Sequence, residues 1–131
     1  MYNLLRTTIA FTILTTVATA QSFRTTTVES EVQFPGEIIC SMKAAGSNGN
    51  IKGKGQMKLF RSAVYPMTIE NSTFGYLAIF YRGTIKRQGV LYPYVMTVTR
   101  QTGVAELIIS APPGLPVINT LDGLAVNKVR Q

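Results

Sequence analysis

The sequence has no histidine, no tryptophan and a single cysteine in 131 residues. Without histidine there is no Ser-His or Cys-His nucleophile and no imidazole ligand for a metal. One cysteine, Cys40, excludes an intrachain disulfide and a thiolate zinc cage. The chain carries 6 Asp plus Glu against 13 Lys plus Arg. So few carboxylates argue against a dense acidic metal site. What remains for catalysis is Glu, Tyr or Lys chemistry, a poor inventory of general acids and bases. The expectation is a non-catalytic chain with no cofactor.

The first twenty residues read as a secretory signal peptide. Arg6 supplies a short positive region, residues 7–17 are uncharged, and Ala18-Thr19-Ala20 is a small-residue cleavage site. The uncharged stretch between Arg6 and the cut is 14 residues and rich in Thr. A spanning helix needs about 20 mostly apolar residues, so a transmembrane anchor is the weaker reading. The expected organisation is residues 1–20 as signal peptide and 21–131 as one all-β domain, secreted or periplasmic. Without Arg6 the mature chain holds 12 basic and 6 acidic residues, a net charge of +6. Cys40 then stands alone in an oxidising compartment, either buried as a small apolar residue or paired with another chain.

Thr, Val, Ile, Tyr and Phe dominate the rest, and Gly or Pro interrupts at short intervals. Strands are expected over 23–34, 37–45, 51–60, 65–70, 74–82, 90–100, 104–110, 117–121 and 124–129. They suit a small antiparallel sandwich or barrel of about eight strands. Alternation sets the faces. Val28, Val32 and Phe34 oppose Thr25, Thr27, Glu29, Glu31 and Gln33. Ile38, Cys40 and Met42 share one face. Tyr65, Met67 and Ile69 share another, as do Tyr92, Tyr94, Met96 and Val98. Phe74 to Arg82 is apolar on both faces and reads as a central strand covered on both sides. Residues 46–50 read as a flexible turn and residues 83–89 as a basic turn. Pro112 to Pro116 reads as an irregular crossing, because its three prolines lack the N–H that a ladder needs. Asp122-Gly123 between apolar runs reads as a hairpin turn.

Residues 51–60 are the most informative stretch. Ile51, Gly53, Gly55, Met57 and Leu59 alternate with Lys52, Lys54, Gln56 and Lys58. This predicts a half-exposed strand with a basic stripe, whose glycines permit a bulge or close packing of another segment. A phosphate-loop reading of residues 46–55 fails: the glycine spacing is one residue short and no helix follows. Glu29 and Glu31 lie about 7 Å apart on one strand face. They are better explained by cross-strand pairing with lysines, such as the face of Lys52, Lys54 and Lys58, than as an acid-base couple.

The candidate ligand-binding residues are therefore Lys52, Lys54, Lys58, Arg82, Lys86 and Arg87. A field of this sign attracts anionic polysaccharide, lipid headgroups or an acidic protein. The export signal argues against nucleic acid. Asn71-Ser72-Thr73 is a glycosylation sequon, meaningful only in a eukaryote and suited to an exposed loop. The expected function is an exported, non-catalytic binding protein for an anionic ligand or protein partner. Two alternatives stand beside it. One is a structural subunit of an envelope or extracellular assembly that uses an exposed strand edge and forms a homo-oligomer. The other is a small secreted effector, toxin or enzyme inhibitor that presents Pro112 to Pro116 as a rigid loop.

Overall fold

The computed structural model describes residues 25–59, 61, 63–112 and 116–131. The signal-peptide reading, Phe23, Phe60 and the middle of the 112–116 crossing lie outside them. Eight strands follow one another: β1 (Thr26–Phe34), β2 (Ile38–Ser47), β3 (Asn50–Leu59), β4 (Val64–Phe74), β5 (Ala78–Arg87), β6 (Val90–Thr99), β7 (Val104–Ser110) and β8 (Val117–Arg130). Each pairs antiparallel with the next, and β8 pairs back on β1, closing an up-and-down barrel. Of the two architectures the sequence allows, it is the barrel. Closure leaves no sheet edge where the ladder is complete.

The alternation seen in the sequence becomes inside and outside. Val28, Val32, Cys40, Ile79, Tyr81, Met96, Val98, Ala105 and Leu107 are wholly buried. Each large apolar side chain among them contributes about 1.5–3 kcal/mol. An eight-stranded barrel has an interior just wide enough for side chains to fill or for one small ligand to enter. Charged side chains, Glu29 and Lys54 among them, point outwards from the same strands. A membrane-spanning barrel carries an apolar band there instead.

Three buried hydroxyl groups are bonded inside the wall. Tyr81 Oη and Ser30 Oγ lie 2.6 Å apart, and Ser30 Oγ donates to Asn127 Oδ1 at 2.6 Å. The Tyr81 hydroxyl is then the donor to Ser30. Tyr94 Oη donates to the backbone oxygen of Thr68 at 2.8 Å. The Ser72 hydroxyl is buried and has no partner.

β4 departs from simple alternation. Between the pairs Met67↔Ile85 and Asn71↔Arg82 it advances four residues while β5 advances three. Against β3 it advances three for two, from Ile69 to Ser72. One extra residue in β4 therefore bulges against both neighbours, which bends the strand and increases its twist. Two glycines opposite this strand sit where backbones close in, Gly53 against β2 and Gly83 against β4. A Cβ on Gly53 would lie 2.0 Å from the Lys43 oxygen, and one on Gly83 would lie 2.0 Å from the Thr68 oxygen.

Several expectations need correction. Asp122-Gly123 is no hairpin; both residues lie within the continuous strand β8. A Cβ on Gly123 would meet the Gln33 oxygen at 2.3 Å and the Phe34 ring at 2.7 Å. Glycine is present there for close approach to β1, and the two expected C-terminal strands are one. Phe74 to Arg82 is not a central strand covered on both sides. β4 ends at Phe74, residues 75–77 turn, and Phe80 is exposed on the outer wall, because a single-walled barrel has no second layer. The basic turn shrinks to Gln88-Gly89, since β5 runs on to Arg87. The flexible turn shrinks to Asn48-Gly49, with φ of 55° and 75°, the positive pair of a tight type I′ hairpin. The sequon is not in a loop: Asn71 and Ser72 sit at the β4 bulge.

Candidate functional site

The six predicted binding residues all lie on β3 or β5. Lys52, Lys54 and Lys58 project from the outer wall of β3, and Arg82 and Lys86 from that of β5. Lys43 of β2 stands directly opposite Lys54. β2 to β5 carry Lys43, Lys52, Lys54, Lys58, Arg82, Lys86 and Arg87 against one carboxylate, Glu70. β6 carries no charge. β7, β8 and β1 carry Glu106, Asp122, Lys128, Arg130, Glu29 and Glu31. The basic stripe is thus a broad convex face, and its cations spread rather than converge. Glu29 is paired, with its Oε1 3.5 Å from Lys43 Nζ. Its partner comes from β2 and not from β3, which does not adjoin β1.

Arg87 differs from the other five. It ends β5 at the rim of the barrel, and its guanidinium carbon lies 5.7 Å from the centre of the Tyr65 ring. That is within reach of a cation–π attraction. Behind it the barrel interior opens into a cavity of about 290 Å³ lined by Ile38, Met57, Leu59, Tyr65, Ile85, Arg87, Tyr92, Ile109, Ile118, Asn119 and Leu121. This size is at the lower end of small-molecule sites, which are mostly apolar with a few placed polar groups. Each lining residue sits near the end of its strand, close to the turns 35–37, 88–89 and the connections 60–63 and 111–116. Inward-facing Ile38, Leu59, Tyr65, Ile109 and Leu121 are only partly buried here, whereas Met57 and Ile85 of the same lining are buried.

A larger hollow of about 640 Å³ lies on the outer wall across β8, β1 and β2, with Glu29, Glu31, Lys43 and Lys128 among its lining residues. Charges of both signs alternate there and the Glu29–Lys43 pair spans part of it. It offers no convergent set of one sign.

The sequence reading found Arg87 but not the cavity. Its lining comes from seven different strands, β2 to β8, so no single window displays it. The usable signal was the inward alternation continuing to the last strand positions, as at Leu59, Ile85 and Tyr92. Three nucleophilic or ionisable groups are sealed away from this site. Burial pushes the Cys40 thiol up from 9.0 to about 12 and the Tyr81 phenol up from 10.0 to about 12. Tyr94 is raised further by burial. Cys40 is wholly buried, as the apolar reading expects, and is a poor nucleophile there.

The mouth therefore combines an apolar interior, one cation at the lip and one amide, Asn119. Such a set can hold the apolar body of a small molecule and meet a negative head. No family model, no curated protein and no solved structure matches the chain.

Proposed function

We propose that this chain is an exported, non-catalytic binding protein whose ligand is a small amphipathic anion held in the barrel mouth. The observation that carries the reading is the apolar cavity with the Arg87 guanidinium over Tyr65 at its lip. Desolvating the ligand's apolar body in a partly preformed cavity supplies most of the affinity. Arg87 supplies preference for an anionic head, reinforced by the positive field of β2 to β5. Residues 1–20, read as a signal peptide, support a secreted or periplasmic setting. The broad basic face then steers anionic ligands towards the molecule instead of forming the site itself.

Decanoate is a suitable probe, followed by isothermal titration calorimetry and by NMR shifts. Binding should perturb Leu59, Tyr92 and Leu121. Arg87→Ala should weaken decanoate at least fivefold while changing the binding of decanol less than twofold. Shifts confined to the outer wall of β3, or an equal loss for both probes, remove the reading.

A second reading is favoured by one observation. The β1–β8 ladder ends at Gln33↔Leu124, so Val117 to Asp122 of β8 pair only with β7. Such an edge can accept an added strand, which would make the chain a subunit of an assembly. Light scattering coupled to size-exclusion chromatography tests this, and a strict monomer at high concentration argues against it.

A further inference from the structure

We propose that the rim of the barrel mouth docks on an anionic lipid surface, from which the ligand passes into the cavity. The inference rests on the reading of the mouth as a ligand site and adds where that ligand comes from. Five aliphatic side chains project into solvent around this one end: Val64 at 52% exposure, Val90 at 41%, Leu91 at 51%, Val117 at 60% and Ile118 at 53%. They belong to the ends of three successive hairpins, β3–β4, β5–β6 and β7–β8. Scattered exposed aliphatic residues are ordinary on a protein surface. A ring of them around an open apolar cavity is not scattered, and Ile118 belongs both to the ring and to the cavity lining.

Charge selects the occupant. Among the described residues, those that form this end, 33–39, 58–59, 61, 63–66, 84–93, 108–112 and 116–120, include Lys58, Arg61, Lys86 and Arg87 and a single acidic residue, Glu37. Basic side chains beside apolar ones favour the headgroup region of an anionic bilayer, where the apolar groups enter the acyl boundary and the cations remain among the phosphates. In that pose the cavity faces the membrane. An amphipathic anion can then move from bilayer to barrel without its apolar body crossing water.

The opposite end provides the internal control. Its β4–β5 turn also exposes apolar groups, Tyr76 at 92% and Leu77 at 72%. Arg100 pins that turn: its backbone N–H donates to the Leu77 oxygen at 2.9 Å and its guanidinium donates to the Gly75 oxygen at 2.8 Å. Beneath that end Val28, Ile51, Ile79 and Val98 are buried, and the hollow of about 390 Å³ beside its β6–β7 turn is lined by Arg100, Gln101, Thr102 and Asn127 instead of a convergent apolar set.

The test is sedimentation of the full chain with vesicles of equal parts phosphatidylglycerol and phosphatidylcholine. All variants keep the same N-terminal segment, and circular dichroism verifies that each retains its strands. Wild type should bind these vesicles at least tenfold more tightly than pure phosphatidylcholine vesicles. The pair Val90→Ser with Leu91→Ser, and separately Lys86→Glu, should each weaken binding at least fivefold. Tyr76→Ser with Leu77→Ser should leave it within twofold. No preference for the anionic vesicles, no loss in the rim variants, or loss in the far-end pair overturns the docking proposal. Decanoate titration separates the two claims, since none of these variants alters a residue of the cavity lining. If decanoate binds while the rim variants sediment like wild type, docking falls and the ligand site stands. If the rim variants lose vesicles but decanoate never binds, docking stands and the ligand site falls.

Discussion

The two ends of the barrel are built from the same alternating strands and finish differently. At the end where β1 starts and β8 finishes, Val28, Ala44, Ile51, Ile79, Val98 and Ala105 are all at most 5% exposed, with Phe74 and Val129 partly buried at the border. At the other end Ile38, Leu59, Tyr65, Ile109 and Leu121 are only partly buried around an open cavity. The residue types are alike, so hydrophobicity does not explain the difference. Closure does. At the sealed end the β1–β8 ladder is continuous to Thr27↔Arg130, whereas at the mouth β8 runs on past Leu124 without β1 beside it. β6 likewise outruns β7 beyond Tyr94↔Ile109. Where strands outrun their neighbours the wall opens, and the inward side chains become a lining instead of a core.

The largest effect should come from the wall that both ends share. In Gly83→Val the new Cβ falls 2.0 Å from the Thr68 oxygen, against backbone that cannot yield. Urea unfolding should show a loss of more than about 3 kcal/mol, beyond ordinary overpacking. A near-native midpoint would mean that the β4 bulge adjusts freely.

Next, truncations at the two ends should differ in cost. Ile79→Ala, at the sealed end, should cost about 2–5 kcal/mol, as cavity-forming changes in a packed core do. Leu121→Ala, at the open mouth, should cost about 1 kcal/mol or less, because part of its surface already meets water. Equal losses in denaturant titrations would erase the distinction drawn between core and lining.

Alkaline pH probes the sealed interior alone. Cys40, Tyr81 and Tyr94 all have raised folded values caused by burial. Above pH 9 the unfolded chain releases protons that the native chain keeps, so stability is present below that pH and falls as pH rises through it. Thermal melts should be flat in this respect up to pH 9 and decline above it. Cys40→Ala should delay the onset towards pH 10, the ordinary tyrosine value. The same burial should keep Cys40 unreactive towards iodoacetamide until denaturant is added.

Smaller effects are expected from polar groups. Tyr81→Phe removes the donor to Ser30 but leaves Ser30 bonded to Asn127. It should cost about 1 kcal/mol. Smallest of all, Lys43→Gln removes an exposed ion pair of 3.5 Å. That change should stay under about 0.5 kcal/mol and vanish in high salt.

The legible part of this molecule was whatever depends on a period of two. Lysines at 52, 54 and 58 face out, Met57 faces in, and Cys40 is buried, all as alternation requires. What misled was punctuation. Asp122-Gly123 has the composition of a hairpin turn, yet its glycine is there because Gln33 and Phe34 of another strand press against it. The sequon at Asn71 looked like a loop because a bulge also interrupts alternation. A local pattern does not distinguish a glycine that turns the chain from one that admits a neighbour.

The sequence by itself determined an all-β chain, the inward and outward face of most strands, and a basic surface, because side-chain direction in a strand follows from position parity alone. Tertiary structure decided that the sheet closes into a barrel, that β8 is one strand, and that Arg87 among six candidate residues stands at an apolar mouth. Those outcomes depend on the register between distant strands, which fixes where each one outlasts its neighbour, and no stretch of sequence contains that length difference.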